Sequence, residues 1–285
     1  MTTLAQAVGD GAVITKRNLL KIKRVPELLV FATLSPIMFV LLFAFIFGSA
    51  IPLPGVDYKE FLMAGIFTQT VVFGSTITGA SLAEDLQKGL IDRFRSLPMA
   101  RSAVLVGRTN ADVGNNVVTV FVMAVTGLLV GWRISTSVLE ALAAFGLLLL
   151  FAYAISWLMA LVGLSVKSPE VVQNASFIII FPLTFIANTF VPTDNFPPAL
   201  KAFADWNPVS SVTLAARELF GNTSPALPPP DIWPAQHPVV YSLIWIVGIL
   251  VIFVPLSVRK YESAADTLSE VRGSTEGPAD SVTTP

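Results

Sequence analysis

The chain has 285 residues, of which 54% are apolar and only 13% charged, with a mean hydropathy of +0.72 and a formal net charge of -1. A soluble domain carries about 25% charged residues, so this composition excludes an ordinary soluble fold. Cysteine is absent, which excludes disulfides, thiolate metal sites and cysteine nucleophiles.

Residues 1–27 are polar and basic, with a weak apolar stripe at Leu4, Val8, Ala12, Leu19 and Ile22. That pattern suits an amphipathic connecting segment lying on the anionic cytoplasmic leaflet; an orienting basic tail is the alternative. A bilayer core about 30 Å thick needs roughly 20 apolar helical residues to cross it. Six runs meet that length: 28–47, 61–82, 113–131, 141–166, 171–191 and 239–258. Together they predict an all-α, polytopic membrane protein with a six-span domain over 28–258. Pro36 and Pro182 fall inside the first and fifth runs, where kinks are expected because neighbouring helices can satisfy the freed carbonyls.

Basic residues set the orientation. With the N-terminus inside, 14 Lys and Arg fall in cytoplasmic segments and 4 (Lys59, Arg133, Lys201, Arg217) in outer ones, which accounts for all 18. Both ends are therefore expected in the cytoplasm.

After span two, the stretch 82–97 has apolar residues at 82, 86, 90, 94 and 97, with Glu84, Asp85, Lys88, Asp92, Arg93 and Arg95 on the other face. Helical periodicity of this kind predicts an amphipathic cytoplasmic helix. It either covers the inner rim of the bundle or docks a soluble partner through complementary charges. The outer segment 193–237 is long for a simple connection and holds Phe196, Phe203, Trp206 and Phe220, so short helices dipping into the outer leaflet or capping the bundle are expected. Its prolines, from Pro225 to Pro238, predict a stiff extended return. His237, the single histidine, has no accompanying ligand cluster and reads as an interfacial side chain. The acidic, Ser- and Thr-rich segment 259–285 is predicted to be disordered.

No span has a charge at its centre, since Asp112 and Glu140 lie beside the predicted ends of spans three and four. Ion-coupled carriers place ionisable groups near the midplane, so energy is expected from elsewhere. Neutral polar groups, among them Gln69, Asn115 and Asn188, instead serve either interhelical hydrogen bonding or a path for an amphipathic molecule. No G-x-x-x-x-G-K-[ST] motif occurs, so no phosphate-binding loop of that type is present. A membrane-embedded lipid-modifying enzyme would need convergent polar or metal-binding groups at one membrane face, and a passive channel would need a filter motif; the sequence offers neither.

The stretches Gly89 to Arg108, G-L-I-D-R-F-R-S-L-P-M-A-R-S-A-V-L-V-G-R, and Phe181 to Ser210, F-P-L-T-F-I-A-N-T-F-V-P-T-D-N-F-P-P-A-L-K-A-F-A-D-W-N-P-V-S, resemble the permeases of the ABC-2 transporter family, more narrowly its DrrB-like daunorubicin-resistance members. The resemblance runs from about residue 15 to about residue 260. It implies a six-span permease in the bacterial cell (inner) membrane that pairs with a second copy or paralogue. It also implies that ATP and Mg are bound on a separate cytoplasmic ABC ATPase, with no cofactor on this chain, no enzymatic activity of its own and no nucleic-acid partner. The implied cargo is a lipophilic or amphipathic drug such as an anthracycline-like antibiotic, or a lipid or glycolipid. In that frame 82–97 matches the coupling helix, with Glu84, Asp85, Lys88, Asp92, Arg93 and Arg95 meeting the ATPase, and 193–237 matches the outer reentrant segment. Phe39, Phe43, Gln69, Phe73, Asn115, Phe181, Phe185 and Asn188 are the expected substrate pathway, beside membrane lipid.

Overall fold

The computed structural model describes residues 26–48, 51, 53–89, 103–166 and 168–275. Every regular element among them is a helix. In chain order these are α1 (Pro26–Leu42), continued by a π-helical turn (Phe43–Phe47), α2 (Tyr58–Gly74), α3 (Thr76–Gln87), α4 (Ala103–Val130), α5 (Val138–Ser165) and α6 (Pro169–Phe185). The remainder are α7 (Pro198–Trp206), α8 (Pro208–Phe220), the single turn α9 (Trp233–Gln236) and α10 (Pro238–Thr275). Four stretches among the described residues are long and apolar enough to cross a membrane: Tyr58–Gln87, Val104–Val130, Val138–Ser165 and Pro238–Ser263. Thr33–Phe47 and Pro169–Phe185 are shorter apolar helices.

α2 is the central element. Almost every residue from Tyr58 to Val72 is buried, as befits a helix that is apolar all round and enclosed by others. Asp57 starts it, its carboxylate accepting the Lys59 N–H at 2.9 Å. Ser75 interrupts it. The Ser75 hydroxyl donates to Val71 O at 2.7 Å and lies 3.0 Å from Ala152 O on α5, so the break is tied to a neighbouring helix. α3 then packs on α5 with almost no separation. A Cβ on Gly79 would lie 2.6 Å from Met159 O, and one on Gly163 would lie 2.2 Å from Gly79 O. Only small residues permit such an approach of two backbones. Ser137 and Glu140 form a capping box that opens α5.

Several boundaries differ from those predicted. The third run, expected at 113–131, begins at Ala103. Asp112 is therefore inside the helix rather than beside its end, and only 7% exposed. The fifth, expected at 171–191, stops at Phe185. Seventeen residues of helix span about 25 Å, and carbonyls at and past the end are taken by side chains from elsewhere: Asn207 Nδ2 donates to Leu183 O at 2.6 Å, and Tyr58 Oη to Phe190 O at 3.0 Å. Of the helix expected over 82–97, residues 82–87 form the end of α3, which closes at Gln87 with Gly89 at φ 62°, the left-handed cap that glycine favours. Residues 90–97 lie outside the described residues, as do 1–25 of the connecting segment. Finally, α10 runs on to Thr275, so residues 259–275 of the tail expected to be disordered are helical. Extending a helix that already exists adds a bond per residue without a new nucleus.

The segment after α6 folds as α7 and α8. Asn207 joins them, its Oδ1 accepting the Val209 N–H at 2.9 Å, and Gly221 at φ 73° ends α8. α8 is buried along most of its length and packs against α2, α5 and α10.

Candidate functional site: an aromatic cavity between helices

A cavity of about 400 Å³ opens between α1, α2, α3, α4 and α6. One wall is aromatic: Phe39 of α1, Phe73 of α2, and Phe177, Phe181 and Phe185 of α6. The last three recur every four residues, so α6 presents them on one face. Phe181 and Phe185 stack with ring centroids 4.0 Å apart, and Phe177 and Phe181 are 5.0 Å apart. The stack continues through Phe190, 4.9 Å from Phe185 and 4.5 Å from Phe43, and Phe43 lies 5.9 Å from Phe39. Pro36 also lines the space.

The polar part of the lining is neutral. Gln69 and Thr70 project from α2 and Asn115, Asn116 and Thr119 from α4, with Ser35 completing the set. Among the described residues no Asp, Glu, Lys, Arg or His lines the cavity. A pocket of aromatic and apolar surface with a few amide and hydroxyl groups orients an amphipathic guest, and its ring faces can hold a planar or cationic one.

Of the eight residues expected on a substrate pathway, Phe39, Gln69, Phe73, Asn115, Phe181 and Phe185 line this cavity, and Phe43 stands in the stack behind it. Asn188 does not. A helix continued to residue 191 would have carried it on the face of Phe181 and Phe185; because α6 ends at Phe185, the chain turns away. Asn188 borders a second cavity of about 360 Å³, with Arg217, Glu218 and Asn222 and the prolines of the 225–230 stretch. Burial holds the Glu218 carboxyl above its ordinary value. The sequence reading omits Phe177 and Thr119, although Phe177 shares the period of Phe181 and Thr119 that of Asn115.

The charged residues of 82–97 divide. Glu84 pairs with Lys88 one turn on, both largely exposed. Asp85 was expected on a partner-facing surface, yet it is mostly buried against Arg108 of α4 at 2.9 Å. Asp92, Arg93 and Arg95 lie outside the described residues.

The family model for ABC-2 type transporters matches residues 11–220. This chain belongs to the ABC-2 type transporter family. Among relatives, the daunorubicin resistance ABC transporter permease protein DrrB1 of Streptomyces coeruleorubidus is 33% identical over 261 residues, covering 91% of this chain and 89% of its own. A probable doxorubicin resistance ABC transporter permease protein, DrrC of Mycobacterium tuberculosis, is 27% identical over 66% of this chain and 64% of its own. A putative transport permease, ycf38 of Pyropia yezoensis, is 24% identical over 75% of this chain and 74% of its own. This ABC-2 chain is accordingly a multi-pass membrane protein, and its apolar exposed faces, such as Phe121 and Leu129 of α4 and Val251 of α10, suit lipid or a second membrane subunit.

Proposed function

We propose that the chain is the permease half of an ATP-driven exporter of lipophilic, amphipathic compounds with a planar aromatic part, of the anthracycline kind that its relatives' names carry. The observation behind this is the cavity whose lining, among the described residues, carries no charge and combines Phe39, Phe73, Phe177, Phe181 and Phe185 with neutral amides. Stacking on offset rings favours flat aromatic guests, by about 0.5–1.5 kcal/mol per pair beyond area burial. The chain works in the bacterial inner membrane with six spans and both ends inside, α7 and α8 reentering from the outer side. It pairs with a second permease and with a cytoplasmic ATPase that binds ATP and Mg, and catalyses no chemistry itself.

The test is ATP-dependent transport in proteoliposomes holding the chain and its ATPase subunit. A fluorescent anthracycline is expected to accumulate with ATP, and Phe181→Ala and Phe185→Ala each to weaken its binding by about 1 kcal/mol, roughly fivefold. Absence of any ATP-dependent drug movement, with a lipid stimulating hydrolysis instead, would assign the cavity to lipid export.

A further inference from the structure

The second cavity, of about 360 Å³, is built unlike the first. Its walls come from the turn after α6, from α8 and from the proline-rich return, and they carry charge. Arg217 lines it and is only 3% exposed. Nε and Nη2 of the guanidinium are taken by the carbonyls of Phe61, Asn188 and Thr189. Nη1 makes none of these bonds, and it is not among the buried polar atoms that lack a partner, so it opens on the cavity. The hydroxyl of Thr193, a lining residue 7% exposed, is in the same condition among the described residues. A guanidinium nitrogen and a hydroxyl thus stand free in one space, on side chains that are otherwise buried. Buried polar groups are nearly always paired, and the exceptions call for a reason.

Two carboxylates complete the set. Asp194 is paired with Lys201 at 3.5 Å. Glu218, next to Arg217 on α8, belongs to none of the ion pairs among the described residues. Arg217 is buried and Glu218 exposed, which sets the positive group deep and the unpaired negative one nearer the opening. The complement of such a site is a zwitterion whose anionic end enters first.

Position says what carries those charges. The return closes on α9, where Gln236 Nε2 donates to Pro230 O at 3.3 Å, and Pro230 lines the cavity. Beside it the ring of Trp233 lies 5.9 Å from Tyr241, and Tyr241 lies 6.1 Å from Trp206 and 6.3 Å from Trp245. All three tryptophans are exposed. Trp and Tyr gather where a membrane meets water, at the level of the headgroups. The cavity therefore adjoins the headgroup layer, on the outer side in the reading above.

We infer that this cavity seats the headgroup of a zwitterionic aminophospholipid of the outer leaflet, with the phosphate on Arg217 Nη1 and the Thr193 hydroxyl and the ammonium at Glu218. A guanidinium suits a phosphate oxygen through a charge-assisted hydrogen bond, and the ammonium supplies the counter-charge that Glu218 lacks. A lipid with an uncharged glycerol headgroup fills the first place and leaves the second empty. The inference rests on the outward placement of α7 and α8 proposed above and needs no particular cargo in the aromatic cavity.

The experiment uses the full chain in a neutral detergent and follows its melting temperature against the concentration of four probes: dihexanoyl phosphatidylethanolamine, dihexanoyl phosphatidylglycerol, phosphoethanolamine and inorganic phosphate. A ligand held by the folded state raises the melting temperature with concentration, which yields its Kd. The ethanolamine lipid is expected to bind at least about threefold tighter than the glycerol lipid, the range that one exposed charge pair supplies. The two soluble phosphates are expected to bind at least about tenfold weaker than the ethanolamine lipid, because acyl chains add apolar burial. Glu218→Gln keeps the shape of an exposed side chain and is expected to bring the two lipids to the same Kd. Thr193→Val is expected to weaken both lipids alike, by about threefold, and serves if Glu218→Gln does not fold. Equal affinity for the two lipids in the unmodified chain, a preference that survives Glu218→Gln, or unchanged affinities in Thr193→Val would overturn the headgroup site. Phosphoethanolamine binding as tightly as the lipid would overturn the lipid in favour of a soluble phosphate. Nothing measured here depends on ATP, drug or sidedness, so each failure would leave the transport reading and the topology to their own tests.

Discussion

Arg217 carries a charge into the protein interior with no ion pair to a carboxylate among the described residues. It is 3% exposed, and burial lowers its pKa to about 9, so it stays charged at neutral pH. Backbone carbonyls substitute for a counter-ion. Nε donates to Phe61 O at 2.8 Å, and Nη2 donates to Asn188 O at 2.6 Å and Thr189 O at 3.2 Å, while the guanidinium lies 3.5 Å from the Phe61 ring centroid. One side chain therefore ties α8 to α2 and to the turn that ends α6. Arg217→Met should strand three buried acceptors and cost about 3–5 kcal/mol, the usual penalty for breaking a buried charged network. Arg217→Lys should recover little, because an ammonium lacks the planar fork that reaches two backbones at once. Thermal unfolding of the detergent-solubilised chain checks both, with Arg133→Lys as a control expected to change little.

At the scale of elements, the bundle depends on places where two backbones touch. Gly65 of α2 faces the turn after α6, where a Cβ would stand 2.0 Å from Thr189 O; Gly163 of α5 faces Gly79 O at 2.2 Å. Neither obstacle is a flexible side chain. Gly65→Ala and Gly163→Ala should each force the helices apart and cost about 1–3 kcal/mol, seen as a lower melting temperature and less folded protein. Gly146→Ala on the same α5 meets nothing within 4 Å and should be neutral or stabilising through better helix propensity. Equal effects at Gly146 and Gly163 would mean that packing is not what limits these helices. The helix break at Ser75 belongs to this scale too. Neither a proline nor a loop composition marks it, and the hydroxyl bond to Ala152 O shows why: the partner is 77 residues away.

For the molecule as a whole, the proposed six-span, both-ends-in arrangement rests on the placement of basic residues, and the absence of cysteine makes it directly testable. Single cysteines at Ser96 and Thr223 should label from opposite sides, Ser96 only after the membrane is permeabilised. Thr223 is exposed in the loop after α8, so a failure to label it from outside cannot be put down to burial. Labelling of both positions in intact cells would end the topology.

The membrane class, the helical content and the approximate place of each apolar run were legible in the sequence, because a run of about 20 apolar residues has few alternatives to a buried helix. Six of the eight residues expected along a substrate path share one cavity for a similar reason: helical period puts Phe181 and Phe185 on one face without reference to any other part of the chain. Tertiary structure alone decided what the polar residues do. Asp85 points at Arg108 rather than outward, Asp112 sits in the bundle rather than at its edge, and Asn188 leaves the aromatic face because Asn207, Tyr58 and Arg217 take the carbonyls at and beyond the end of α6. Each of these outcomes depends on a partner far along the chain. A buried polar group must be satisfied wherever a partner happens to lie, and local periodicity holds no record of that.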